Sequence, residues 1–234
     1  MNRFSKTNTA SMNDVAFCGR ALPSHIMSIF QDAVTDHTAI LGVGANTIIK
    51  TIGAKWVITR IRFEISGSLS VGDEYTVSTW PLAAGPLRFP RTFVISKNQK
   101  IIARAFTEWC LIDAKTDEVM RSRVLTLPID EYLTDKAITG KFSCAKPQDP
   151  ELIYTHTVRA SDLDINRHVN NITYIKFALD CLNTQELESL DITSFEMYYL
   201  SQCFEGQTLS FYREGNLIEA RCDDRIVFRC TINL

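Results

Sequence analysis

The chain has 234 residues, 45% of them hydrophobic and 22% charged, with 25 Lys plus Arg against 27 Asp plus Glu and a formal net charge of −2. That is the composition of a globular protein long enough for one large domain or two small ones, and its near balance of charge gives no reason to expect a nucleic-acid partner. The longest apolar-leaning stretch, residues 39–49, falls far short of the roughly 18 residues a bilayer-crossing helix needs, so no transmembrane segment is expected.

Residues 1–13 carry Arg3 and Lys6 among Ser and Thr, with no acidic group and no apolar signal core, which predicts a short flexible terminus. The cysteines number seven and are scattered without a C-x-x-C pair. A disulfide framework or zinc site is therefore not expected, and reduced thiols in the cytoplasm are.

A helix is expected over residues 24–41, where Ile26, Ile29, Phe30, Ala33, Val34 and Leu41 recur at helical spacing between Pro23 and Gly42. From Trp56 the period becomes two: Val57, Ile61, Phe63 and Ile65 fall on one side, and Arg60, Arg62 and Glu64 on the other, as a half-buried strand requires. Gly72-Asp73 turns the chain into a strand over 74–80, and further strands are expected over 91–96 and 100–113. Prolines, Gly140 and polar residues mark a linker over 128–150. Beyond it come a strand over 154–159, a helix over 170–182 with Ile172, Ile175, Leu179 and Leu182 in one stripe, and strands over 194–200, 207–213, 217–222 and 225–232.

A long helix followed by an antiparallel meander thus occurs twice, which predicts an α+β fold. Ile61-x-Phe63-x-Ile65 leading to Gly72 corresponds to Phe195-x-Met197-x-Tyr199 leading to Gly206, at a constant offset of 134 residues. Phe30 and Tyr174 hold equivalent places on the two helices. Phe30 to Ile61 spans 31 residues and Tyr174 to Phe195 spans 21, so the first half holds an insertion, placed in 42–54. Two unrelated α+β domains are the alternative.

The densest polar run is residues 162–171. Asp164, Asn166 and His168 at alternating positions would project to one side of an extended segment, and Asn170 or Asn171 suits the cap of the following helix. Such a set suits acyl transfer to water: a carboxylate deprotonates or orients the water, an imidazole shares the proton traffic, and a helix N-terminus offers N–H groups to a carbonyl oxygen gaining charge. The same residue types are also favoured at turns and caps for local reasons alone, and both readings stand at this point. His25 and His37 read as structural residues of the first helix, His37 near the end where a cation complements the dipole. His156 begins a strand close to the polar run. The chain has no G-x-x-x-x-G-K-[ST], H-E-x-x-H or G-x-S-x-G pattern, which argues against nucleotide hydrolysis, zinc peptidases and the serine-hydrolase elbow.

Asp164-Ile165-Asn166-Arg167-His168-Val169-Asn170-Asn171-Ile172-Thr173-Tyr174 resembles the D-x-N-x-H-V-N-N-x-x-Y signature of the acyl-ACP thioesterase family. Trp56-Val57-Ile58-Thr59-Arg60-Ile61-Arg62-Phe63-Glu64-Ile65, followed by Gly72-Asp73 and Thr79-Trp80, is similar to that family's amino-terminal half. The likeness runs from about Asp14 to the end. It implies two tandem hotdog units, each a long helix wrapped by a twisted antiparallel sheet: residues 14–127 with the acyl-chain pocket, a linker over 128–150, and residues 151–234 with the catalytic motif.

The resemblance also implies hydrolysis of fatty acyl-ACP thioesters to free fatty acid and acyl carrier protein, without cofactor or metal. Asp164 would activate water or attack the thioester, Asn166 would hold the thioester or the carboxylate in register, and His168 would position or relay a proton. Where the family has a Glu-Cys pair, this chain reads Gln202-Cys203. Gln202 can still orient a water but cannot accept a proton as a base, which leaves Asp164 as the base. Cys203 reads as a small buried residue rather than a nucleophile. Asn170, Asn171, Ile26, Phe30 and Phe63 are the substrate-binding candidates, the last three as core first and pocket lining second. The implied partner is acyl carrier protein bearing a fatty acyl phosphopantetheine, docking on basic residues among Arg88, Arg91, Lys97 and Lys100 or Arg221, Arg225 and Arg229. Association into a homodimer is left open. The same chemistry on acyl-CoA, or acyl binding without turnover, for which Gln202 is the hint, are the alternatives.

Overall fold

The chain begins with a paired strand rather than a frayed end. In the computed structural model, which describes residues 2–143, 145–189 and 191–234, β1 (Phe4–Thr9) pairs antiparallel with residues 74–79. Its exposed side is a hydroxyl ladder, Ser5 to Ser78 at 2.8 Å and Thr7 to Thr76 at 2.9 Å, which holds a strand without any apolar face. The flexible terminus expected over 1–13 is corrected over residues 4–9 accordingly.

The chain divides into two units, Met1–Ala21 with His25–Gly140 and Leu22–Ser24 with Lys141–Leu234. In the first, α1 (Pro23–Ile40) is followed by α2 (Ala45–Ile52), which lies in the stretch read as an insertion. Then come β2 (Ala54–Ile65), β3 (Glu74–Pro81), β4 (Phe89–Lys97) and β5 (Lys100–Asp113), close to the expected bounds. The five strands run in the order β1-β3-β4-β5-β2, each antiparallel to its neighbour. Ile26, Ile29, Phe30 and Ala33 of α1 are buried, as are Ile61, Phe63, Val77, Phe93 and Ile95 of the sheet. The Phe30 ring lies 4.8 Å from Phe93 and 5.8 Å from Phe63, so the predicted apolar face of the helix is the face that packs. A second cluster, with Leu41, Val43, Ile48, Phe89 and Leu111, buries one side of α2.

The second unit repeats this plan. β6 (Glu151–Thr157) precedes α3 (Asn171–Leu179) and the short α4 (Thr184–Ser189), and β7 (Ser194–Tyr199), β8 (Thr208–Glu214), β9 (Leu217–Cys222) and β10 (Arg225–Asn233) complete it. Their order is β7-β10-β9-β8-β6, all antiparallel. Replacing β6, β8, β9, β10 and β7 by β1, β3, β4, β5 and β2 gives the order of the first unit, so the repeat seen in the sequence extends to topology. The Gly72 and Gly206 turns that lead into equivalent strands both have positive φ, 86° and 83°, the left-handed region that glycine enters without strain. α3 ends earlier than residue 182 because Asp180 caps it and Cys181 and Leu182 fold back in tight turns. Its Tyr174 and Phe177 rings pack on Phe228 and Phe211, at 5.8 and 5.4 Å.

Candidate active site

The polar run of residues 162–171 lies between β6 and α3 and is organised by one carboxylate. Leu163 and Val169 form an antiparallel bridge, and inside it the Asp164 amide donates to the His168 carbonyl at 2.8 Å and the Arg167 amide to the Asp164 carbonyl at 3.0 Å. Asp164 Oδ1 accepts the backbone N–H of Asn166 at 2.8 Å and of His168 at 3.3 Å, and Oδ2 accepts from Asn166 Nδ2 at 3.3 Å. The segment is therefore a tight turn, and the extended arrangement expected for alternating residues 164, 166 and 168 is corrected. The physical reason is local: an aspartate that satisfies backbone donors two and four residues ahead curls the chain. Arg167 completes the reversal with φ of 62°, a conformation that costs a non-glycine residue about 1–2 kcal/mol.

The turn brings the Asp164 carboxylate, the Asn166 amide and the backbone of His168 together. The half-buried His168 imidazole leaves the turn to pack edge-on against Phe204, with ring centroids 5.0 Å apart. Ile165 stands at the apex with 87% of its surface exposed. Asn170 caps α3, its Oδ1 accepting the Ile172 N–H at 2.8 Å. The carbonyl of Asn171, the first helical residue, accepts the Tyr199 hydroxyl at 3.1 Å.

The segment that carries Gln202 and Cys203 is tied directly to this turn, the Val169 N–H donating to the Cys203 carbonyl at 3.0 Å. The Cys203 N–H in turn donates to the Tyr174 hydroxyl oxygen at 3.0 Å. Cys203 is fully buried, and burial pushes its thiol up to about 11, the opposite of what a nucleophilic thiolate requires. Gln202 is half-buried, and its side-chain amide has no hydrogen-bond partner among the described residues.

His156 and Asp162 play a supporting part that the sequence indicated only loosely. His156 Nε2 lies 2.7 Å from Asp162 Oδ2, which also accepts the Arg159 N–H at 2.8 Å, while the Asp162 carbonyl accepts the Asn170 N–H at 2.9 Å. Together these bonds anchor the foot of the turn to β6 and to the cap of α3.

The remaining candidates belong to the first unit or to the surface. Ile26, Phe30 and Phe63 are buried in the core of the first unit. Most of the basic residues proposed for docking are engaged: Arg88 pairs with Glu108, Lys97 with Asp73, and Arg221 and Arg229 both clasp Glu219. Arg91 is no surface residue at all; it is buried against His37. Alternation from Phe89 through Phe93 to Ile95 puts it on the core side of β4, a signal present in the sequence and outweighed there by its charge.

Among the described residues six cysteines are free, while Cys144 lies outside them; no cluster of His, Cys, Asp and Glu could hold a metal, and no helix is long and apolar enough to cross a membrane.

Residues 2–126 match the acyl-ACP thioesterase N-terminal domain, and residues 145–232 match the acyl-ACP thioesterase C-terminal domain. The chain is 27% identical over 200 residues to the chloroplastic acyl-[acyl-carrier-protein] hydrolase FATB3 of Cuphea viscosissima, covering 79% of this chain and 48% of that protein. It is 26% identical over 199 residues to the chloroplastic dodecanoyl-[acyl-carrier-protein] hydrolase of Umbellularia californica, covering 79% and 52%. The chain thus spans about half the length of the curated relatives it matches. Its fold is that of an acyl-ACP thioesterase from Bacteroides thetaiotaomicron (TM-score 0.81, 24% identity, 98% of this chain and 96% of that one). It is equally that of the 12:0-ACP thioesterase from Umbellularia californica (TM-score 0.83, 20% identity, 99% and 96%). The expected pair of hotdog units is thereby met.

Proposed function

The chain belongs to the acyl-ACP thioesterase family, and from that premise we propose that it hydrolyses fatty acyl thioesters of acyl carrier protein to a free fatty acid and the carrier thiol. The observation that carries the reading is the turn of residues 164–168, which fixes a carboxylate and an amide side by side just ahead of the N-terminus of α3.

A carboxylate offers about four lone-pair sites. The Asn166 N–H, the His168 N–H and Asn166 Nδ2 use Asp164 as acceptor, which leaves room for a water. In this mechanism Asp164 removes a proton from that water, the resulting hydroxyl attacks the thioester carbon, and the carbon–sulfur bond breaks as the carrier thiolate leaves and takes up the proton. Asn166 orients the carboxylate and the thioester, and His168 positions or relays the proton. Orphan N–H groups in the first turn of α3, beyond that of Ile172, receive the charge that develops on the carbonyl oxygen. Gln202 holds the water from the neighbouring segment by hydrogen bonds. Ile26, Phe30 and Phe63 give the acyl chain an apolar environment in the first unit. A thioester is already activated, so the scheme calls for no cofactor.

Purified protein incubated with acyl-ACPs of graded chain length is expected to release free thiol and fatty acid, with acyl-CoA giving a lower rate. Absence of release at every length, under conditions where another family member is active, refutes the proposal. Gln202, an amide that cannot act as a base where the family has a carboxylate, favours a second reading, acyl binding without turnover, which predicts tight acyl-ACP binding that Asp164→Ala leaves unchanged.

A further inference from the structure

The core of the first unit contains a polar layer that an unsubstituted acyl chain does not use. On β4 the buried residues Phe89, Arg91, Phe93 and Ile95 alternate onto one side, so a guanidinium stands in an otherwise aromatic and aliphatic row. Its Nη1 donates to Thr79 Oγ1 of β3 at 3.2 Å and lies 3.0 Å from Nδ1 of His37 on α1. A guanidinium only donates, so Nδ1 is the acceptor of this contact. Phe4 of β1 stacks on the same imidazole at 5.8 Å. Thr107 of β5 closes the layer, donating to the Arg91 carbonyl at 3.4 Å.

Two features set Arg91 apart from a buried arginine that serves packing alone. Among the described residues no carboxylate pairs with it, and burial pulls its pKa down to about 9. A buried charge ordinarily has a counterion, because desolvation is otherwise uncompensated. Moreover, Nε and Nη2 have no partner among the described residues, yet none of the fully sealed side-chain nitrogens or oxygens is left unpaired. Those two nitrogens are therefore not completely sealed, although the residue as a whole is only 5% exposed.

We propose that Arg91, set in place by His37 and Thr79, is a subsite for an oxygen acceptor, a hydroxyl or carboxylate, carried at the far end of an acyl chain that enters the first unit. The acyl source rests on the reading given under Proposed function. A small free carboxylate has the same chemistry, and the test separates the two.

Calorimetric titration of the full chain with non-hydrolysable amide analogues of acyl-pantetheine reads the subsite without turnover, so its failure is distinct from a failure to hydrolyse acyl-ACP. Chains of about 8 to about 16 carbons, ending in methyl, hydroxyl or carboxylate, cover the unknown depth. At the length that reaches Arg91, an oxygen-ended analogue is expected to bind roughly tenfold more tightly than its methyl-ended counterpart, the gain of one charge-assisted hydrogen bond. In Arg91→Met that ratio is expected to fall to about one. Equal affinities in the unmodified protein, or no measurable binding of any oxygen-ended analogue, overturn the proposal whether or not Arg91→Met folds. An undiminished ratio in a folded Arg91→Met also overturns it. Acetate that abolishes the ratio by competition, and itself binds in an Arg91-dependent way, supports the oxygen-acceptor subsite and assigns it to a free anion.

Discussion

Asp164 does two jobs with one side chain: it accepts the hydrogen bonds that fold its own turn, and in the proposed reaction it takes a proton from water. The two separate in mutants. Asp164→Asn keeps one oxygen for the backbone donors and removes the base, so kcat is expected to fall by about two to four orders of magnitude with little change in melting temperature. Steady-state kinetics paired with thermal melts checks both halves. Cys203 makes the opposite prediction. With a thiol pushed up to about 11, roughly one part in a thousand is thiolate at pH 8. Brief iodoacetamide treatment of the native protein is expected to modify the partly exposed Cys18 and spare Cys203, as peptide mass spectrometry would show. Cys203→Ala retains most of the activity on this account; a loss as large as that of Asp164→Asn would make the thiol the nucleophile.

The helix cap and the paired strands set stability around the site. Asn170→Ala removes the bond to the Ile172 N–H and is expected to cost about 1 kcal/mol, read as a lower urea midpoint with an unchanged slope. On β9, Glu219 is 1% exposed and held by Arg221 and Arg229. Burial alone would raise its pKa, but the two guanidiniums hold it below the ordinary 4.5. A depressed carboxylate stabilises the fold above its ordinary value and loses that contribution as pH falls through the depressed one. Glu219→Gln is therefore expected to cost about 1–3 kcal/mol at pH 7 and to flatten the fall in stability below pH 4.5. Much of this level was legible in the sequence. Period-two runs located the strands from β2 onward, and helical spacing located both long helices. β1 escaped because Ser5, Lys6, Thr7 and Asn8 offer no apolar side, and its pairing rests on hydroxyl contacts and backbone bonds. The second unit held the missing clue, since its own first strand precedes its helix. The turn of residues 164–168 escaped because Asp and Asn compete with extended backbone through bonds that periodicity does not register.

At the level of the whole chain, charge and redox chemistry are both quiet. The net charge is −2, and several of its arginines and lysines are spent on neighbouring carboxylates. On the proposed function, binding of an acidic carrier is therefore expected to rest on Lys100 in the one basic stretch or on Arg225 in the other. Whichever of the single variants Lys100→Glu and Arg225→Glu touches the carrier should raise KM for acyl-ACP severalfold while leaving kcat and the melting temperature near those of the parent. The free state of the six described cysteines leads to the expectation that the melting temperature is the same with and without dithiothreitol. The repeated strand order has one further consequence. In a pair of identical modules every substitution is felt twice, whereas here two copies of one plan share a chain and answer to selection separately. The stretch ahead of α1, Phe17-Cys18-Gly19-Arg20, has none of the acid and amide groups that crowd the corresponding stretch ahead of α3. Under the proposed reading the chemistry is confined to the loop of one copy, which leaves the other copy free to specialise in holding the acyl chain.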